Sequence, residues 1–191
     1  MNDLALNPST TALLLMDLQP GILGRLPDSD GFLAGLARAR EAARAAGLTV
    51  GYVRVAVTEE EAAAIPATSR FAGAAERLNA ASPHTQIDPR IAPADGEIVV
   101  RKKRVGAFST TDLQERLAAR GVDTLVLTGV ATSGVVLSTV RDAADRDYRL
   151  VVLEDGCWDA DPEVHRVLTE KVFARGGVTV TSIDAFIESL A

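Results

Sequence analysis

The alternation of two kinds of segment constrains this chain more than any other feature. Six short apolar runs rich in β-branched residues lie at Thr11–Leu18, Thr49–Val57, Glu97–Lys102, Thr124–Val130, Arg149–Glu154 and Val178–Ile183. Their hydrophobicity is nearly continuous, as in strands buried on both faces, whereas half-exposed strands alternate apolar and polar residues. Between them come Ala-, Leu- and Arg-rich stretches at helical spacing: Gly31–Ala46, Thr110–Ala119, Ser133–Asp145 and Pro162–Ala174. Gly47 and Gly121 follow two of these as C-caps. The pattern predicts an α/β fold of three layers, a parallel sheet with helices on both faces. With no repeat, low-complexity tract or linker, residues 1–191 read as one domain, large enough to bury a core without disulfides or metal. The segment Glu59–Pro93 departs from the alternation. It holds four of the eight prolines and little periodicity, which predicts a short helix and a long loop near the site.

Charge and cysteine usage narrow the class. A net charge of -6 argues against a nucleic-acid binder, which would carry a basic patch. The single cysteine, Cys157, cannot form an internal disulfide, so a reducing cytoplasm fits best. The start MNDLALNPSTTALLLMDLQP lacks a basic region, and Asp17 breaks its apolar run; it reads as neither signal peptide nor membrane anchor. His84 and His165 are the only histidines and form no His-x-His or His-Glu-x-x-His arrangement, so neither a metal nor another cofactor is expected. The expected partner is a small molecule.

Chemistry in open α/β sheets concentrates where parallel strands end. Asp17 interrupts the first run near its end, and an acid there is costly to bury unless paired. It reads either as a turn or N-cap aspartate beside Pro20, or as a general acid/base tuned by partial burial and a nearby cation. Gln19 reads either as an exposed turn residue or as a polar substrate contact in the same mouth. The third run closes on the basic cluster Arg101–Arg104, too short for a nucleic-acid patch. Alternation along the strand sends Lys102 and Lys103 to opposite faces, so one reaches inward while the other is solvated. If the third strand lies two places from the first, only a long side chain reaches Asp17, which suits lysine. Phe108 reads as core packing or as an apolar wall of the pocket.

The turn from Gly129 to Gly134 leads straight into a helix. Thr132 or Ser133 is its expected N-cap, and free amides there would form an anion- or oxyanion-stabilising site. Neither a Gly-x-Gly-x-x-Gly fingerprint nor a P-loop is present. Cys157 reads as a buried inert thiol, since no histidine partners it. Trp158 beside it lines the pocket mouth or caps the core, and His165 reads as a surface residue of its helix.

Three segments, TALLLMDLQPGIL, IVVRKKRVGAFSTTDL and DTLVLTGVATSGVVLSTVRDAADRDYRLVVLEDGC, strongly resemble the isochorismatase-like hydrolase superfamily, also called the cysteine hydrolases. That superfamily includes nicotinamidases, N-carbamoylsarcosine amidases and isochorismatases. The resemblance runs from about Thr11 to Ile183, with the motifs in the expected order. It implies a six-stranded parallel sheet of order 3-2-1-4-5-6, with strands one and four together at the switch point where ligands bind. It implies that Asp17 is the catalytic aspartate and Lys102 the catalytic lysine, which stands before Arg104, Ala107 and Phe108 as the family lysine does. A cis bond between Val130 and Ala131, shaping an oxyanion hole, is also implied, as is a homodimer or homotetramer. The zinc-binding Asp-x-His element of nicotinamidases has no counterpart.

The nucleophilic cysteine of the superfamily falls on Val135. Valine cannot attack a carbonyl, so the thioester route of the amidases is closed. Three readings follow. The chain is a nucleophile-free hydrolase like the true isochorismatases, in which an aspartic acid protonates a vinyl ether and water adds to the cation. Alternatively, it is a catalytically inactive member that binds a small carboxylate or amide, as a ligand-binding or regulatory protein. In the third reading, Ser133 or Ser138 substitutes as nucleophile. Substrate contacts are expected from Gln19, Phe108, Thr132, Ser133 and Trp158.

Overall fold

The computed structural model describes residues 4–73 and 76–191. Six strands run parallel in the order β3-β2-β1-β4-β5-β6. They are β1 (Thr11–Met16), β2 (Thr49–Val55), β3 (Ile98–Lys102), β4 (Thr124–Val130), β5 (Arg149–Trp158) and β6 (Thr179–Thr181). Every residue of β1 and β4 is buried, which explains why those runs lack polar alternation. Helices α1 (Pro20–Leu23), α2 (Ser29–Ala45), α3 (Glu59–Ala63), α4 (Leu113–Ala118), α5 (Leu137–Ala144), α6 (Pro162–Val167) and α7 (Ile183–Glu188) complete the alternation. Two apolar clusters form the core, one on each face of the sheet. Leu14 and Met16 of β1 enter one, while Leu13 and Leu15 enter the other, as a two-residue period requires.

Local chemistry sets the helix boundaries. Asp28 caps α2, its carboxylate accepting the Gly31 N–H at 2.8 Å, and Leu33, Leu36, Ala39 and Ala43 form the buried face. Thr58 and Glu61 close a reciprocal capping box on α3. Gly47 and Gly121 adopt positive φ (81° and 65°) after their helices. Gly129 is required for another reason. At φ 146° it lies so close to β1 that a Cβ would stand 2.5 Å from the Met16 carbonyl oxygen.

Several boundaries differ from the sequence expectation. Strand β5 continues to Trp158, beyond Glu154, because its pairing with β4 slips between Leu127 and Gly129; Cys157 and Trp158 then pair with Gly129 and Val130. The last strand stops at Thr181, and Ile183 opens α7 instead of closing a strand. Ser182 caps that helix, accepting the Ala185 N–H at 3.2 Å, while Ile183 and Phe186 are buried beside the α2 residues. The continuous apolar run concealed this cap. The helix expected over Pro162–Ala174 changes at Leu168 into a wider π-type turn ending at Phe173. Among the described residues, no helix is long and apolar enough to cross a membrane.

Candidate active site

The chain leaves β1 through Asp17, whose φ of 59° is left-handed. Aspartate is among the few residues other than glycine that visit this region, at a cost of about 1–2 kcal/mol. The Asp17 N–H donates to the Val53 carbonyl at 2.7 Å, which anchors the turn to β2. Lys102 ends β3, two strands from β1, and its side chain spans the intervening β2. Its Nζ lies 2.7 Å from Asp17 Oδ2 and donates to the Val105 carbonyl at 2.6 Å. Only 1% of the lysine is exposed, so the ion pair is withdrawn from water. Lys103 faces the other way, with its ammonium 3.4 Å from Glu61.

Burial raises the Asp17 carboxyl to about 6, against the opposing pull of the Lys102 charge and hydrogen bond. Oδ2 is engaged by Lys102, while Oδ1 is buried without a hydrogen-bond partner among the described residues. A carboxyl with one oriented oxygen, one uncommitted oxygen and a pKa near neutrality can give or take a proton.

A cavity of about 230 Å³ opens over this pair. Asp17, Lys102, Val130, Ala131, Val135 and Trp158 all line it, brought together from the ends of four strands and the turn after β4. The Val130–Ala131 peptide bond is cis. Val135 is 2% exposed and belongs to the apolar cluster beneath, so the cavity floor there is hydrocarbon. Cys157 is no replacement for a thiol at that position. It packs in the core, outside the cavity wall, and burial pushes its thiol up to about 12.

Four expected substrate contacts, Gln19, Phe108, Thr132 and Ser133, do not line this cavity. Gln19 is 1% exposed and its amide is committed to backbone: Nε2 donates to the Val55 and Thr85 carbonyls at 2.9 and 2.8 Å, and Oε1 accepts the Val55 N–H at 2.8 Å. It ties β1 to β2 and to the loop before β3. Phe108 packs in the core, stacked on Tyr148 with ring centroids 6.0 Å apart, and Arg146 covers its ring. Thr132 is fully buried and pairs with His165 Nδ1 at 2.8 Å, so that histidine is half-buried and bonded. Neither Thr132 nor Ser133 caps the helix by its side chain. The Ser133 amide is not free either: it donates to Asp159 Oδ2 at 2.7 Å. The carboxylate at the start of this helix is therefore the protein's own.

Besides Arg104, the structure adds wall residues that the sequence did not single out, chiefly Arg25, Arg70, Phe71, Val105 and Asp159. Arg70 and Phe71 come from the loop with no readable periodicity; Asp159 follows the unforeseen extension of β5. Arg104 lies over the Phe71 ring at 5.8 Å. Among the described residues, no group of three His, Cys, Asp or Glu gathers with the spacing needed for a metal ion.

Fold and site together define a doubly wound α/β scaffold with its polar residues gathered where the strands end. Comparison with known proteins gives the family: the isochorismatase domain matches residues 11–184, and the chain belongs to the isochorismatase family. The isochorismatase family protein YecD of Escherichia coli O157:H7 is 33% identical over 197 residues, covering 98% of this chain and 100% of that protein. The ureidoacrylate amidohydrolase RutB of Methylobacterium radiotolerans is 34% identical over 213 residues, covering 98% of this chain and 82% of the relative. Among solved structures, an isochorismatase family protein from Burkholderia thailandensis superposes with a TM-score of 0.85 at 29% identity, covering 97% of each chain.

Proposed function

We propose that this chain hydrolyses a small organic substrate by acid/base chemistry at Asp17 and Lys102, without a covalent nucleophile. The observation that carries the reading is the buried Asp17–Lys102 pair, with the Asp17 carboxyl raised to about 6, beneath a cavity that Val135 also lines. A group with that pKa is partly protonated near neutral pH and serves as a general acid. Lys102 holds Oδ2 in place and stabilises the carboxylate that remains after proton transfer.

A vinyl ether suits this machinery. Asp17 delivers its proton to the terminal alkene carbon, and the π electrons form the new C–H bond. The oxygen-stabilised cation left behind is attacked by water, whose proton returns to the Asp17 carboxylate. The resulting hemiketal collapses to an alcohol and a carbonyl compound. Val130 and Ala131 line the wall of the same cavity. A serine nucleophile is disfavoured because neither Ser133 nor Ser138 lines the cavity.

Turnover of a panel of vinyl ethers, esters and amides tests the reading. Asp17→Asn should lower the rate at least ~100-fold, while thiol-directed reagents leave it intact. Full activity in that variant, or loss to a thiol reagent, would overturn it. Saturable binding with no turnover of any compound would favour a ligand-binding protein instead.

A further inference from the structure

A second cavity, of about 290 Å³, adjoins the one over Asp17 and shares Ile22, Arg25, Arg70 and Phe71 with it. Arg77 and His84, from the loop between α3 and β3, stand on its far side. Three guanidinium groups thus border one concavity, and no carboxylate among the described residues lines it. The arrangement runs against the chain as a whole, whose net charge is -6. It also runs against the way this protein treats its arginines. Eight others are held in ion pairs with Asp or Glu and four more, Arg54, Arg104, Arg120 and Arg149, donate to backbone carbonyls, whereas the side chains of Arg25, Arg70 and Arg77, like those of Arg141 and Arg175, make no ion pair or hydrogen bond to any described residue. Exposed arginines scattered singly are ordinary surface. Three uncommitted ones around a cavity that continues an acid/base site form a positive field aimed at a ligand.

We propose that this annex is an anion subsite. The substrate carries, beyond the bond placed over Asp17, a carboxylate or phosphate group held by Arg25, Arg70 and Arg77. The inference rests on reading the Asp17 cavity as the reaction site, and it names the substrate class. Guanidinium suits the task because its planar fork pairs with two anionic oxygens at once. Anchoring one end of the substrate fixes the position of the other, so charge recognition in the annex sets the register of the reacting bond over Asp17.

Calorimetric titration of the full chain at low ionic strength tests this with three probes: succinate, its neutral isostere succinamide, and inorganic phosphate. Succinate or phosphate should bind at least ~10-fold more tightly than succinamide, as charge-assisted hydrogen bonds require. The tighter of the two anions identifies the group. Arg70→Gln combined with Arg77→Gln should weaken that anion ~10-fold or more. Arg175→Gln combined with Arg141→Gln, an equal change in net charge, should leave the affinity unaltered. Equal binding of succinate and succinamide, absence of anion binding, or the same loss in both double variants would overturn the proposal. Arginine-dependent binding by a chain that turns nothing over would leave the subsite standing and remove the hydrolase reading. Turnover of neutral substrates, indifferent to Arg70 and Arg77, would do the reverse.

Discussion

The Asp17 carboxylate and the Lys102 ammonium meet at 2.7 Å although β2 lies between their strands. The lysine side chain crosses that strand and arrives almost fully dehydrated. Desolvation still outweighs attraction at the acid, leaving its pKa at about 6. Breaking such a buried pair is costly, but forming one adds little net stability, so the pair is poor evidence of a purely structural staple.

With Asp17 acting as the acid, kcat/KM should fall about tenfold per pH unit above about 6. A rate profile from pH 4 to 9 checks this. A rate that instead rises through that pKa would assign Asp17 as a base. The same shift acts on stability. Between 3.8 and about 6 the native carboxyl holds a proton that the unfolded chain has released, so this group's contribution falls as pH rises through the window. The loss amounts to about 3 kcal/mol at full ionisation. Urea unfolding of the wild type and Asp17→Asn at pH 4 and pH 7 isolates it: the wild type should lose stability relative to the variant at the higher pH.

Lys102→Met keeps the length of the side chain and removes the charge that lowers the Asp17 pKa. The alkaline limb of the rate profile, set by loss of the Asp17 proton, should move upward by about 1–3 units. An unmoved limb would show that another group sets it.

Val135→Cys places a thiol on the cavity floor with a slight loss of side-chain volume. The variant should be alkylated by iodoacetamide at that position and gain measurable amidase turnover. The wild type should resist the reagent, because Cys157 is buried and its thiol is held at about 12. Labelling without amidase activity would show that the surrounding groups are not arranged for acyl transfer.

Gln19→Leu removes three buried hydrogen bonds to backbone and strands the Val55 N–H and carbonyl, while the Thr85 carbonyl keeps its bond from Arg54. Stability should drop by about 2–4 kcal/mol in urea unfolding. A substrate contact would instead give a raised KM at unchanged stability.

Much of the fold was readable because burial on both faces leaves a direct trace: uninterrupted apolar runs in β1 and β4 and a three-to-four spacing in α2. What escaped depended on partners far away in the chain. The extension of β5 follows from a slipped register against β4, which no feature within the β5 segment records. The cap at Ser182 was hidden inside an apolar run. The backbone partners of Gln19 and the stacking of Phe108 on Tyr148 were not legible for the same reason, since each partner lies on another element.

The site divides along the same line. Sequence alone singled out Asp17 and Lys102, because charge at the end of an apolar strand is conspicuous, and it singled out Val135 only through the resemblance to the superfamily. Tertiary structure decided which lysine turns inward, which carboxylate occupies the Ser133 amide, and which arginines border the cavities. Those outcomes depend on distances between segments, such as the 26 positions from Ser133 to Asp159, that only folding closes. A side chain's type is written in the chain, but its desolvation and its partners are set by what packs around it.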